Sequence, residues 1–297
     1  MVRKEGFPGW HDPRAWCAVI LVIAANYAWF PVDSTLHHAL LSVLHLHQSA
    51  SHTLGQASFG LEMFLRLAWD SLLWFGVCLL LCRLPQGFPI TGPRPLRFVC
   101  LGLLTGLSVM LVVILAIWKL GDASVVLSGQ SIFSALRNGL SWLALDALGA
   151  LGEELVGRAV ILVLAERFVR VRGAVVVSGI MFSWMHLSNP GASKIWLIRL
   201  FLQGVLLAYA VFRTRSIWWS VGYHTGWNWI SAPLFGAAGS GYLDEGHIFD
   251  FLPHGTPWIT GGAVGPEGSL LAFAAVLAAF GLLLLTKTRR RNLELAN

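Results

Sequence analysis

Continuous apolar stretches of about 17–25 residues recur along this 297-residue chain, the length a helix needs to cross a bilayer. The hydrocarbon core offers no water to backbone N–H and C=O groups, so a segment that crosses it must satisfy them internally. A transmembrane β-barrel would instead alternate with period two in roughly ten-residue segments; here the runs are continuous and longer. Composition agrees. Hydrophobic residues make up 56% of the chain and charged residues 12%, about half the roughly 25% of an ordinary globular domain. A soluble domain this poor in charge could not cover its surface, and a disordered chain needs the opposite balance. The fold expected is all-α: a polytopic membrane bundle of about eight helices, one integral domain over residues 1–297.

The eight spans fall at about 15–32, 60–82, 97–118, 141–165, 172–188, 195–213, 216–235 and 268–286. The fourth allows an earlier start near Ser131, as a longer or broken helix. If the spans alternate, Arg3, Lys4 and Arg14; Arg83, Arg94 and Arg97; Arg167, Arg170 and Arg172; Arg213 and Arg215; and Lys287 with Arg289–Arg291 share one side. The other side has Lys119 and Lys194, and its longest loop, 236–267, has neither Lys nor Arg. This bias places both termini in the cytoplasm and 236–267 outside it. The same clustering accounts for the net charge of +6 without nucleic acid. Residues 34–58, with five histidines among leucines, read as an interfacial helix. Cys17, Cys78, Cys82 and Cys100 lie in or beside apolar stretches and read as packing residues. No cleavable signal peptide is evident.

Ionisable groups inside spans are costly and mark function by default. The fourth span carries Asp146 and then Gly-Glu-Glu-Leu-Val-Gly-Arg at 152–158. Asp146 and Glu153, seven apart, share a helix face. Glu154 and Arg158 are spaced to form an i,i+4 pair, which leaves Glu153 with no sequence-local cation. The fifth span ends Phe182-Ser-Trp-Met-His186, and the seventh carries His224-Thr-Gly-Trp-Asn228. Counted from the cytoplasmic ends at ~1.5 Å per residue, Glu153 and His186 lie at roughly 20 Å, Asn228 at about 19 Å and His224 at about 13 Å. Three spans can therefore contribute polar groups to one layer, a membrane-embedded polar cavity.

At these residues the chain resembles the CPBP family of intramembrane proteases, also called the Abi or type II CAAX prenyl endopeptidase family. Its motifs appear complete and in order as Glu153-Glu154-x-x-x-Arg158, Phe182-x-x-x-His186 and His224-x-x-x-Asn228. The likeness covers about residues 130–235, the core helices. A Gly-Gly-Ala-Val-Gly-Pro-Glu-Gly run at 261–268 resembles a loop of bacterial members. The resemblance implies a glutamate-dependent endopeptidase in a bacterial inner (plasma) membrane, acting on a membrane-associated protein, with lipidated or CAAX-like proteins among the candidates. Glu153 would be the catalytic carboxylate. His186 would help orient and deprotonate water, and His224 and Asn228 would stabilise the oxyanion. Glu154, Arg158 and Phe182 would support them.

Peptide hydrolysis needs an activated water, a donor to the tetrahedral oxyanion and a proton for the leaving amine. Glu153, His186 and His224 could also supply a His₂Glu set for a divalent ion such as zinc, yet no His-Glu-x-x-His motif is present. Metal-independent activation is the expectation. Small residues at Gly149, Gly152, Gly157 and Gly226 would permit close helix approach or substrate access. Two other classes stay open: a catalytically silent binding or immunity protein, and a proton-coupled transporter using Asp146, Glu153 and His186. Against transport, no repeat halves or paired broken spans are seen. Arg66, Asp70 and Arg199 have no assigned role beyond ion pairing or snorkelling.

Overall fold

A computed structural model describes residues 89–243 and 246–286, with isolated positions before them. The first two expected spans, the histidine-rich segment 34–58, Cys17, Cys78, Cys82, Arg66 and Asp70 lie outside the described residues. The remaining six expected spans are helical. The elements are α1 (Pro95–Leu120), β1 (Ala123–Leu127), α2 (Ile132–Glu154), α3 (Leu162–Met185), α4 (Lys194–Thr214), α5 (Trp218–Trp229), β2 (Phe249–Pro253), α6 (Pro257–Thr260) and α7 (Leu270–Leu285). Two π-helical segments, Leu155–Ile161 and Ile230–Leu234, extend α2 and α5.

Helices α1 and α4 are long and apolar enough to cross a membrane, and α7 is a shorter apolar helix. The others fall short for identifiable reasons. Helices α2 and α3 carry the carboxylates and arginines, and α5 is only 12 residues long before its π segment. Leu96, Leu104 and Val112 of α1 and Leu277 and Leu285 of α7 are all more than half exposed. Large aliphatic side chains along an outer helix face suit contact with lipid tails. Cys100 sits on this outer face of α1, exposed, so the expected packing role does not hold for it.

Helix starts follow local chemistry. Ser131 caps α2, its Oγ accepting from the Ser134 amide at 3.2 Å, which selects the earlier start of the fourth span. Ser193 and Ser269 cap α4 and α7 in the same way. Helix α3 breaks at Arg170, whose backbone (φ 59, ψ 177) is not helical. The chain after the break folds back, and Ser178 Oγ donates to the Gly157 carbonyl at 3.0 Å. The second π segment contains Pro233, which has no N–H for a regular ladder.

The broadest interface in the described bundle joins α1 to α5. Gly102 and Gly106 face the backbone of Trp219 and Tyr223, while Gly222 and Gly226 face that of Val99 and Leu103. A Cβ at any of the four would collide with main chain, so paired small-x-x-x-small steps set this contact. Gly226 fits the close-approach expectation. At Gly157 a Cβ would meet open space, so close approach is not its role.

One feature was not anticipated. Strands β1 and β2 pair antiparallel, with Ala123 opposite Pro253 and Leu127 opposite Phe249. The pairing ties the α1–α2 connection to the 236–267 segment. It sits at the bundle end where α3, α5 and α1 finish and α4 and α7 begin. At the opposite end the Ile217 amide bonds the Pro89 carbonyl, and Arg213 Nε donates to the Leu283 carbonyl at 2.9 Å.

Candidate active site

A cavity of about 340 Å³ lies toward the β1–β2 end of the bundle. It is lined by Asp146, Glu153, Met185, His186, Asn189, His224, Asn228, Ala232, Gly239, Ser240 and Tyr242. The fold therefore brings together Asp146, Glu153, His186, His224 and Asn228 from α2, α3 and α5. The π segments begin directly after Glu154 and just beyond Asn228. Such bulges re-aim side chains and recur at functional sites.

Glu153 and Glu154 are adjacent but meet different surroundings. The Glu154 side chain is fully buried. Its Oε1 lies 3.1 Å from Arg158 Nη1 and 3.1 Å from His224 Nδ1. A carboxylate only accepts, so the His224 Nδ1–H donates to it and Nε2 is left toward the cavity. Arg158 is buried too, its Cζ 4.3 Å from the centroid of the Phe182 ring, a desolvated cation–π contact. Phe182 also meets His186 and His224 edge-on or tilted, at 4.9 and 5.7 Å between centroids. The expected supporting residues Glu154, Arg158 and Phe182 thus form one packed unit behind both imidazoles.

His186 is oriented separately. Its Nδ1 lies 2.7 Å from the Phe182 carbonyl, so Nδ1–H donates and Nε2 carries the lone pair. Trp196 of α4 closes over its ring at 5.8 Å. Glu153, by contrast, is 36% exposed and faces the cavity. Its Oε2 lies 3.9 Å from His186 Nε2 and 4.0 Å from His224 Nε2, and it has no direct hydrogen-bond partner among the described residues. Both imidazole Nε2 atoms converge on this one oxygen at separations just beyond a direct hydrogen bond.

The same three atoms are the set a metal would use. Tetrahedral zinc with bonds of about 2.0–2.1 Å brings neighbouring ligands to roughly 3.3 Å, closer than the separations here. Among the described residues no group of three His, Cys, Asp or Glu side chains is arranged to hold an ion. In this arrangement the residues do not fit a tetrahedral ion.

Sequence spacing did not point to Met185, Asn189, Ala232, Gly239, Ser240 or Tyr242. Asn189 follows His186 by three positions, a signal available in principle. The loop residues carry none, because only tertiary contact brings them to the cavity. Arg199, left without a role, is fully buried and paired with Glu267 at 2.9 Å. It does not snorkel.

No curated protein and no solved structure matches the chain. Residues 135–230 match a family model described as type II CAAX prenyl endopeptidase Rce1-like. That stretch runs from α2 to the start of the second π segment and holds all three motifs, so this part of the chain is similar to that family.

Proposed function

We propose that this protein is an intramembrane endopeptidase that hydrolyses a peptide bond in a membrane-associated protein. The family match supports a protease. The observation that carries the residue-level reading is the convergence of two oriented imidazoles on the free oxygen of Glu153. A water held between Glu153 Oε2 and His186 Nε2 gives up a proton as its oxygen attacks the scissile carbonyl. Asn228, and His224 when its Nε2 as well as its Nδ1 carries a proton, donate to the resulting oxyanion. Glu153 then returns the proton to the leaving amine, and the acid and the new amine separate. No resident metal takes part.

Charge placement supports a sidedness as well. The bundle end carrying Arg94, Arg97, Arg213 and Arg215 faces the cytoplasm, and the cavity opens toward the 236–267 side. The chain is a multi-pass protein of a bacterial inner membrane, with membrane-associated and CAAX-like or lipidated proteins as its substrate class.

The test uses purified protein in liposomes with a library of membrane-anchored peptides, lipidated and plain, and mass-spectrometric readout. Cleavage by wild type and none by Glu153→Gln is expected. Intact peptides with both overturn the reading. In the same liposomes an internal pH-sensitive dye detects proton movement, which would favour a transporter.

A further inference from the structure

The cavity has a second buried charge centre beside it. Arg199 of α4 is wholly buried, and its Nη2 lies 2.9 Å from Glu267 Oε2. Arg199 also donates to Gln203 one turn along α4. The same Glu267 oxygen accepts from Trp227 Nε1 at 3.1 Å, and Arg199 Cζ stands 5.2 Å from the Trp227 ring centroid. Trp227 is the neighbour of Asn228 on α5. The other oxygen, Glu267 Oε1, accepts from the backbone amide of Ser240. One carboxylate thus gathers donors from α4, α5 and the cavity loop.

Ser240 sits at the tip of a tight turn. Gly239 and Tyr242 exchange backbone bonds at 2.8 and 2.9 Å, and Ser240 (φ 51) and Gly241 (φ 87) are both left-handed, as a two-residue hairpin turn of the I′ type requires. The Ser240 carbonyl accepts from Asn189 Nδ2 at 3.0 Å. This turn supplies Gly239, Ser240 and Tyr242 to the cavity wall. The turn bearing Glu267 is seated just as closely. At Gly265 (φ 86) a Cβ would collide with the Ala238 carbonyl, two residues before Ser240.

A buried ion pair is a weak device for stability, since apolar residues of similar volume can replace it at no loss. What apolar residues cannot do is hold the Ser240 amide. We propose that Glu267, charged and aimed by Arg199, is a positioning residue that fixes the 239–242 turn as the substrate-facing wall of the cavity. The inference rests on reading that cavity as the peptide site. Because the wall does not touch the reacting atoms, its loss weakens substrate binding and spares the chemical step.

The test is the double variant Arg199→Met/Glu267→Leu, which removes both charges together. Amide exchange in the 236–243 segment is expected to rise about tenfold or more, and KM for the cleaved reporter peptide about tenfold with kcat nearly unchanged. Unchanged exchange and unchanged KM in the folded variant overturn the proposal, and so does a loss confined to kcat. Should the double variant fail to fold, Glu267→Asp keeps the charge on Arg199 and withdraws the carboxylate from Ser240. A raised KM supports the proposal there, and a wild-type KM overturns it. Exchange is read without substrate. Faster exchange, with a wild type that cleaves nothing, keeps the turn's attachment and removes the protease reading beneath the wall's role.

Discussion

Two buried carboxylate–guanidinium pairs flank the cavity, and α5 is held between them. Glu154 and Arg158 are one helical turn apart and fully buried. Arg199 and Glu267 are 68 residues apart and nearly as deep. Each carboxylate accepts one more donor from α5, His224 Nδ1 in the first pair and Trp227 Nε1 in the second. The difference lies in what each then orients. Glu154 aims an imidazole at Glu153, the carboxylate proposed to activate water. Glu267 holds a backbone amide of the turn that lines the cavity. Burial of a charge pair therefore says little about function until the third partner is known.

The comparison can be broken at several depths. The largest structural effect comes from removing one partner alone. Arg158→Met leaves Glu154 buried without its guanidinium partner and held by His224, a loss of about 3–5 kcal/mol in unfolding free energy. Denaturant unfolding in detergent checks this, and a variant as stable as wild type would show that Glu154 finds another cation. Removing both partners separates the pairs. Glu154→Leu/Arg158→Met should fold yet lose about 10–100-fold in kcat, because His224 loses the acceptor that orients it. If kcat survives, the first pair is no different from the second. Phe182→Leu gives a smaller loss, about 2 kcal/mol, the value of a desolvated cation–π contact with Arg158. Thermal unfolding would reveal it, and Arg158→Met should abolish the difference. The smallest effect is none at all. Prolonged treatment with a zinc chelator should leave the cleavage rate unchanged, and a loss restored by added zinc would make the His₂Glu set a metal site.

The same contrast explains what could be read from the sequence. Helical spacing is a local rule, so the Glu154–Arg158 pair, the shared face of Asp146 and Glu153 and the step from His224 to Asn228 follow from residue numbers. Six expected spans coincide with helices because apolar length and capping serines are local as well. The likeness to the protease family rests on these local motifs and on residues 135–230. Glu267 reaches Arg199 only through the packing of α7's turn against α4. Ser240 and Tyr242 reach the cavity only through a hairpin turn. The β1–β2 pairing joins five-residue strands more than 120 positions apart, and neither strand carries enough alternation to announce itself. The π segment after Glu154 was equally hidden, since its residues, Leu155–Ile161, read as an ordinary continuation of the helix.

The central claim is that Glu153 drives hydrolysis of peptide bonds in membrane-associated proteins. Its most direct test compares the termini of membrane proteins between cells carrying the wild-type chain and cells carrying Glu153→Gln at equal expression. The account predicts new protein ends with the wild type alone, which would also identify the substrate and the side of the membrane that is cut. Identical termini in the two, with the variant rescuing whatever phenotype deletion causes, would contradict it and leave a binding protein in place of a protease.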